Sequence, residues 1–366
     1  MQSQFTLIFY YSGLFISVVF LSKFIYEGYI RFLTKFNLTK DFITSTSKKI
    51  KIYYSTGVVF SISLLVASVS LDNLDFVDFK NISPEIGTSI LIAFFGVYKD
   101  FLKVSNFQKY ILLSFLISML VYSSAVNGTI LNNFNGFLGV YDLSPIVSFI
   151  VTFLIYVMII NAVSRMQRIS GYNIIFGIMF FVSLKSTYHL NYLHTLNTIS
   201  TIIIAICVLF LLINIKNQEK IFIGNSGSFF LGFWIAYFLI QYINESFNYL
   251  NIYNIKDENF PIIAMALISI PILDTLRIIF LRIYWLYSPF KSDKKWHIHD
   301  ILIESGMSHI RTSLFLTIIN FFNAILIFLI ESNFNSYYLI SIYFSVSIFW
   351  LLFFEFIRRR FSKINS

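Results

Sequence analysis

Eleven stretches of this chain are long and apolar enough to leave water. They lie near 5–26, 53–70, 86–98, 110–126, 146–163, 171–187, 198–215, 228–244, 261–283, 312–331 and 336–357, and the third is short. A helix of roughly 20 apolar residues spans the hydrocarbon core of a bilayer. A helix is required there, because the core offers no partner for free backbone groups. The expected fold class is therefore all-α. The chain reads as a polytopic membrane protein with about eleven transmembrane helices and one membrane-embedded domain over 1–366. Composition agrees: charged residues make up only 12% of the chain, against about 25% in soluble domains. The first run is too long for a signal-peptide core and lacks a small-residue cleavage site, so it reads as the first span. The single cysteine, Cys207, lies in an apolar run and excludes an intrachain disulfide.

The loops set the orientation. With eleven spans, one face collects 24 of the 27 Lys and Arg residues, among them Arg31, Lys49, Lys99, Lys103, Lys109, Arg165, Arg168, Lys220, Lys294 and Arg358 to Arg360. The other face has only Lys80, Lys185 and Lys256, and it carries Asp72, Asp75, Asp78, Glu85, Asp257 and Glu258. Positive residues stay on the cytoplasmic side, so the N-terminus is expected outside and the C-terminus inside. The net charge of +9 then implies contact with anionic headgroups and an anionic substrate. Nucleic acid is not an expected partner, because no soluble basic domain exists to hold it.

Four blocks on the cytoplasmic side carry possible chemistry. The first, Lys220-Ile-Phe-Ile-Gly-Asn-Ser-Gly-Ser228, opens the eighth span. Small residues at a helix start let free N–H groups approach a phosphate, although the same turn serves as a plain N-cap with tight packing. The second, Ser288 to Asp300, holds Asp293, three lysines, His297 and His299. It reads as a phosphate or metal site, or as a solvated basic loop on headgroups. The third is Asp274 inside the apolar stretch Pro271-Ile-Leu-Asp-Thr275. An intramembrane carboxylate is functional by default, unless it is a structural ion pair with Arg277 or Arg282. The fourth comprises Gly96 to Ser105 with Lys109, together with Asn161 and Asn214 at span ends.

Taken together, these blocks resemble the polyprenyl-phosphate N-acetylhexosamine-1-phosphate transferase family, which includes phospho-muramoyl-pentapeptide transferase. The resemblance extends over the whole chain and is best at Lys220–Gly232, Pro271–Thr275 and Ser288–His309. It implies transfer of a sugar-1-phosphate from a UDP-sugar to a polyprenyl phosphate, at the cytoplasmic face of a bacterial inner (plasma) membrane, in envelope glycan synthesis. It also implies Mg²⁺, with carboxylates to hold it. The implied catalytic residues are Asp100, Asp274, His297 and His299. The implied substrate-binding residues are Lys109, Asn161, Asn214, Gly224, Asn225, Ser226, Gly227, Ser228 and Asp293. Asp100 is the one candidate metal ligand.

The chain departs from the family pattern at its acids. An Asp-Asp pair reads Lys99-Asp100, two later Asp-Gly pairs read Gln167-Arg168 and Ser170-Gly171, and the acid of the glycine block is Asn225. A second family Asn is Ser164, and the final His of the histidine loop is Asp300. Losing four acids predicts a catalytically impaired homologue that binds lipid phosphate, a nucleotide sugar or a partner enzyme. The alternative is an active transferase in which Lys99, Arg165 and Arg168 neutralise the diphosphate without metal. A transporter is the lesser alternative, with no repeat halves to support it. A homodimer remains open.

Overall fold

A computed structural model of the chain describes residues 2–36, 38, 40–43, 49–52, 55–73, 77–102, 106–127, 130–167, 171–187, 194–216, 223–244, 255–284, 286 and 297–362. A helix, or in one case a bent pair, lies over each of the eleven apolar runs. Among the described residues, six helices are long and apolar enough to cross a membrane, or seven if the bent pair is one span, and three shorter apolar helices accompany them. The protein is thus a helical membrane protein with several candidate spans. Two small hairpins depart from the all-α expectation: Lys40–Ile43 (β1) pairs with Lys49–Ile52 (β2), and Asn133–Phe137 (β3) with Val140–Asp142 (β4), both antiparallel. In the second, Asn135, Gly136, Leu138 and Gly139 all have positive φ. Asn and Gly tolerate that region and so reverse the chain.

The chain divides into two compact units. The first comprises Met1–Val104 and Asn173–Ile235. It holds α1 (Gln2–Lys35), α2 (Gly57–Asp72), α3 (Phe79–Phe101), most of α6 (Tyr172–Thr187), α7 (His194–Lys216) and the start of α8 (Gly224–Asn244). Helix α1 packs on α7 and α2, and α2 packs on α3. Asp78 caps α3, its side chain accepting from the Asn81 N–H. Phe60, Phe210 and Phe230 meet in edge-to-face contacts, with ring centroids 4.6 and 5.8 Å apart. Helix α8 is apolar on all sides and buried, with Phe229, Phe230, Phe233 and Trp234 inaccessible to solvent.

The second unit comprises Ser105–Tyr172 and Ala236–Ser366. It holds α4 (Asn106–Asn127), α5 (Pro145–Met166), the end of α8, α9 (Phe260–Leu267), α10 (Ser269–Tyr284), α11 (Ile298–Glu304), α12 (His309–Ile330) and α13 (Ser336–Ser362). Helices α9 and α10 cover the run at 261–283, expected as one span, but they are bent by 70° at the break. Pro271 explains the interruption. It has no N–H, and its ring excludes the carbonyl four residues back, which belongs to Leu267. Asn320 of α12, fully buried, supplies the missing partners. Its Nδ2 donates to Leu267 O at 2.7 Å, and its Oδ1 accepts from the Ile270 N–H at 3.0 Å and the Ser269 hydroxyl at 3.2 Å. One amide thus satisfies the backbone groups that the break exposes.

Candidate functional site

In the first unit, Asp100 lies in the last turn of α3 and meets the first turn of α8. Asn225 donates to Asp100 Oδ1 through its side-chain amide at 2.6 Å, and its backbone N–H lies 3.0 Å from both carboxylate oxygens. The Ser55 hydroxyl donates to Oδ2 at 2.7 Å. Ser55 itself has φ of 60°, a conformation that costs a residue with a side chain. The Tyr29 hydroxyl donates to its carbonyl at 3.1 Å. Asp100 therefore caps α8 from another helix, with its negative charge at the positive end of the helix dipole.

Close backbone contact positions this turn. A Cβ on Gly96 would lie 2.3 Å from Ser226 Cα, and one on Gly57 would lie 2.1 Å from the Gly227 nitrogen. Helices α2 and α3 therefore press bare backbone against the start of α8. The Gly57 N–H donates to Ser226 Oγ at 3.1 Å, and the Ser228 hydroxyl donates to Gly224 O. Gly224 has φ of +69°, with Asp100 Oδ2 2.4 Å from where a Cβ would stand, so only glycine fits. Lys99 reaches over the Phe229 ring at 5.8 Å. Asn214 sits near the end of α7.

The second unit holds two clusters. Lys109 of α4 is buried, and its Nζ donates to Asn161 Oδ1 at 3.2 Å and Ser164 Oγ at 3.1 Å, both on α5. The Tyr110 hydroxyl also donates to Asn161 Oδ1, at 3.0 Å. The structure thus joins two expected binding residues, Lys109 and Asn161, and adds Ser164 and Tyr110.

Asp274, fully buried on α10, forms the other cluster. The Arg277 guanidinium lies 3.0 Å from its Oδ1, His297 Nδ1 lies 2.7 Å from Oδ2, and the Ile298 N–H donates to Oδ1 at 3.0 Å. Asp274 thus makes the ion pair with Arg277 that was one of its two expected readings, and it also meets His297 of the histidine block. A carboxylate on Nδ1 favours the proton there and leaves Nε2 of His297 for other work. His299 stacks on His297 with ring centroids 5.0 Å apart. Asp293, Arg168 and Ser170 lie outside the described residues.

Neither carboxylate fits the Mg²⁺ that the resemblance implies. Mg²⁺ takes oxygen ligands in near-octahedral geometry. Both oxygens of Asp100 already accept from N–H and O–H donors, and Asn225 offers it a donor where a second acid would offer a ligand. Ligand atoms of Asp274, His297 and His299 lie within 4.8 Å of one another, but two imidazoles suit a transition metal better. The Arg277 guanidinium already supplies a positive charge there.

Sequence reading missed Ser55, Tyr29 and Tyr110 as site neighbours, and named Ser164 only as standing where the resemblance implies an Asn. The first three carry no local signal. Ser55 is set by a backbone angle, and Tyr29 and Tyr110 by contact with residues 26 and 51 positions away.

Comparison with known proteins agrees with the resemblance. Residues 85–243 match the model of glycosyl transferase family 4. That stretch holds Asp100, Lys109, Asn161, Asn214 and Gly224–Ser228, and Asp274, His297 and His299 lie beyond it. Three similar proteins are each named undecaprenyl-phosphate alpha-N-acetylglucosaminyl 1-phosphate transferase. The one from Haemophilus influenzae is 27% identical over 103 residues, 28% of this chain and 26% of that protein. The one from Yersinia pestis is 28% identical over 108 residues, 29% of this chain and 27% of that protein. The one from Pasteurella multocida is 28% identical over 119 residues, 32% of this chain and 30% of that protein. The matched stretch thus spans about a quarter to a third of the length of these relatives. Residues 85–243, which hold Asp100, Lys109, Asn161 and Asn225, are thus similar to glycosyl transferase family 4, over less than half of this chain.

Proposed function

We propose that this protein is a membrane-embedded homologue of the enzymes that move a sugar-1-phosphate from a UDP-sugar to a polyprenyl phosphate, and that it binds such phosphates with impaired transfer. In the complete reaction, a lipid phosphate oxygen attacks the sugar-bearing phosphorus, the diphosphate bond breaks and UMP leaves. The proposed setting is the cytoplasmic face of a bacterial inner membrane, with eleven crossings, the N-terminus outside and the C-terminus inside. The charge bias of the loops supports that orientation, and the names of the relatives support the class of reaction.

The observation that carries the impaired reading is the Asn225 amide donating to Asp100 at 2.6 Å. The scaffold that brings α3 to α8 is built, and an acid is replaced at its centre. A second reading, an active enzyme, draws on the intact contact of Asp274 with His297 at 2.7 Å.

A transfer assay separates them. Membranes containing the protein are supplied with labelled UDP-N-acetylhexosamines and polyprenyl phosphate, under Mg²⁺, Mn²⁺ or EDTA. The expected result is no lipid-linked sugar phosphate above an empty-membrane control, with labelled UDP-sugar still bound. Metal-stimulated product overturns the impaired reading. Product that persists in EDTA favours the active, metal-independent enzyme.

A further inference from the structure

We propose that the Asp100 cluster is a cation-free site, in which the Asn225 amide and the start of α8 hold the carboxylate that a divalent ion would otherwise neutralise. A carboxylate has about four acceptor positions. At Asp100 they meet the Asn225 side-chain amide at 2.6 Å, the Asn225 N–H at 3.0 Å from each oxygen, and the Ser55 hydroxyl at 2.7 Å. A cation entering this carboxylate must displace at least one of these donors. Among the described residues these donors are dipoles, with the positive end of α8 aimed at the carboxylate.

Close packing sets how near α2 and α3 stand to the start of α8. Gly57 and Gly96 already bring backbone to backbone at the first turn of α8, where even a methyl group would overlap at 2.1 and 2.3 Å. The separation of α3 from Asn225 is therefore set by packing. The chemistry of residue 225 decides the rest. An amide there donates a proton to Asp100. A carboxylate in the same place would put two acids in contact, and two such groups cannot both ionise unless they share a proton or a cation. One atom type at one position therefore switches the site between cation-free and cation-dependent. The inference rests on the proposed function only in regarding this site as one that handles phosphate.

The test uses the purified full chain in detergent and free Mn²⁺ measured by electron paramagnetic resonance. Wild type and Asp100→Asn are expected to titrate alike. Asn225→Asp is expected to bind Mn²⁺ at least about tenfold more tightly than wild type, within the range by which single groups alter metal affinity, and to unfold at a higher temperature with Mg²⁺ than with EDTA. Mn²⁺ binding by wild type that Asp100→Asn removes overturns the proposal, and so does a folded Asn225→Asp that gains no affinity. Should Asn225→Asp fail to fold, the comparison of wild type with Asp100→Asn still decides.

Binding of labelled UDP separates this proposal from the functional one. Equal binding in EDTA and Mg²⁺ supports the cation-free site, and binding only with Mg²⁺ overturns it. Binding under neither condition counts against the nucleotide-sugar reading, and the Mn²⁺ titration then decides the metal question by itself.

Discussion

Asp100 and Asp274 are both carboxylates within apolar helical segments, yet the protein satisfies them in opposite ways. Asp274 is fully buried and takes a guanidinium, an imidazole and one backbone N–H. Asp100 is half-buried and takes an amide, a hydroxyl and a helix N-terminus. Burial explains the contrast. A charge removed from water needs an opposite charge or dense hydrogen bonding to persist. A charge that keeps some solvent can be held by dipoles. The Asp274 cluster is therefore charge-bound and intolerant of losing a partner, whereas the Asp100 cluster is set by shape.

The largest expected effect breaks the charged side of this comparison. Asp274→Ala leaves the Arg277 and His297 side chains facing a buried gap. Removing one partner of a buried pair costs about 3–5 kcal/mol. Thermal unfolding in detergent should show a large fall in midpoint and a low yield of folded protein. Asp274→Asn keeps the shape and an acceptor for the Ile298 N–H, so a variant as unstable as the alanine one would locate the loss in charge alone.

A middle-sized effect strikes the shape-set side. Gly96→Ala forces a methyl group against Ser226 Cα, and overpacking of this kind costs about 1–3 kcal/mol. Unfolding midpoints should fall, and labelled UDP binding should weaken with them, because the displaced turn carries Asn225. If Gly96→Ala is as stable as wild type, the backbone contact between α3 and α8 is looser than described.

The smallest effect is a difference between two variants of Ser55, about 1–2 kcal/mol, and it sharpens the account of Asp100. Ser55→Ala keeps the unfavourable φ and loses a hydrogen bond to a charged group, worth about 1.5–3 kcal/mol. Ser55→Gly loses the same bond but relieves a left-handed conformation that costs roughly 1–2 kcal/mol. The glycine variant should therefore unfold at a higher temperature than the alanine variant. The reverse order would mean that the backbone strain at Ser55 is not released by glycine.

Much of the fold is legible along the chain. Apolar runs near the length of a bilayer crossing demand helices, because lipid offers the backbone no alternative partner. Helix ends are local as well, as with Asp78 before α3 and Ser308 before α12, each accepting from an N–H three residues on. The break at Pro271 was not read, although the proline lies in plain view. A proline bends a membrane helix when other groups can satisfy the freed backbone, and those groups sit on Asn320, 50 to 53 residues away. The hairpin around Asn135 and Gly136 carries a local turn signal that hydropathy overshadowed.

The site divides along the same line. By itself, the sequence determined which residue types are present: Lys99, Gln167, Ser170 and Asn225 where the resemblance implies acids, Asp100 and Asp274, the histidines and the small residues of Gly224–Ser228. Only the tertiary structure decided what each of them faces. Asn225 meets Asp100 across 125 residues, Gly57 meets Ser226 across 169, and His297 meets Asp274 across 23. Composition and periodicity report the solvent a segment prefers and the face it buries, both properties of neighbours in sequence. A hydrogen-bond partner is a property of neighbours in space, and packing of whole helices decides who they are.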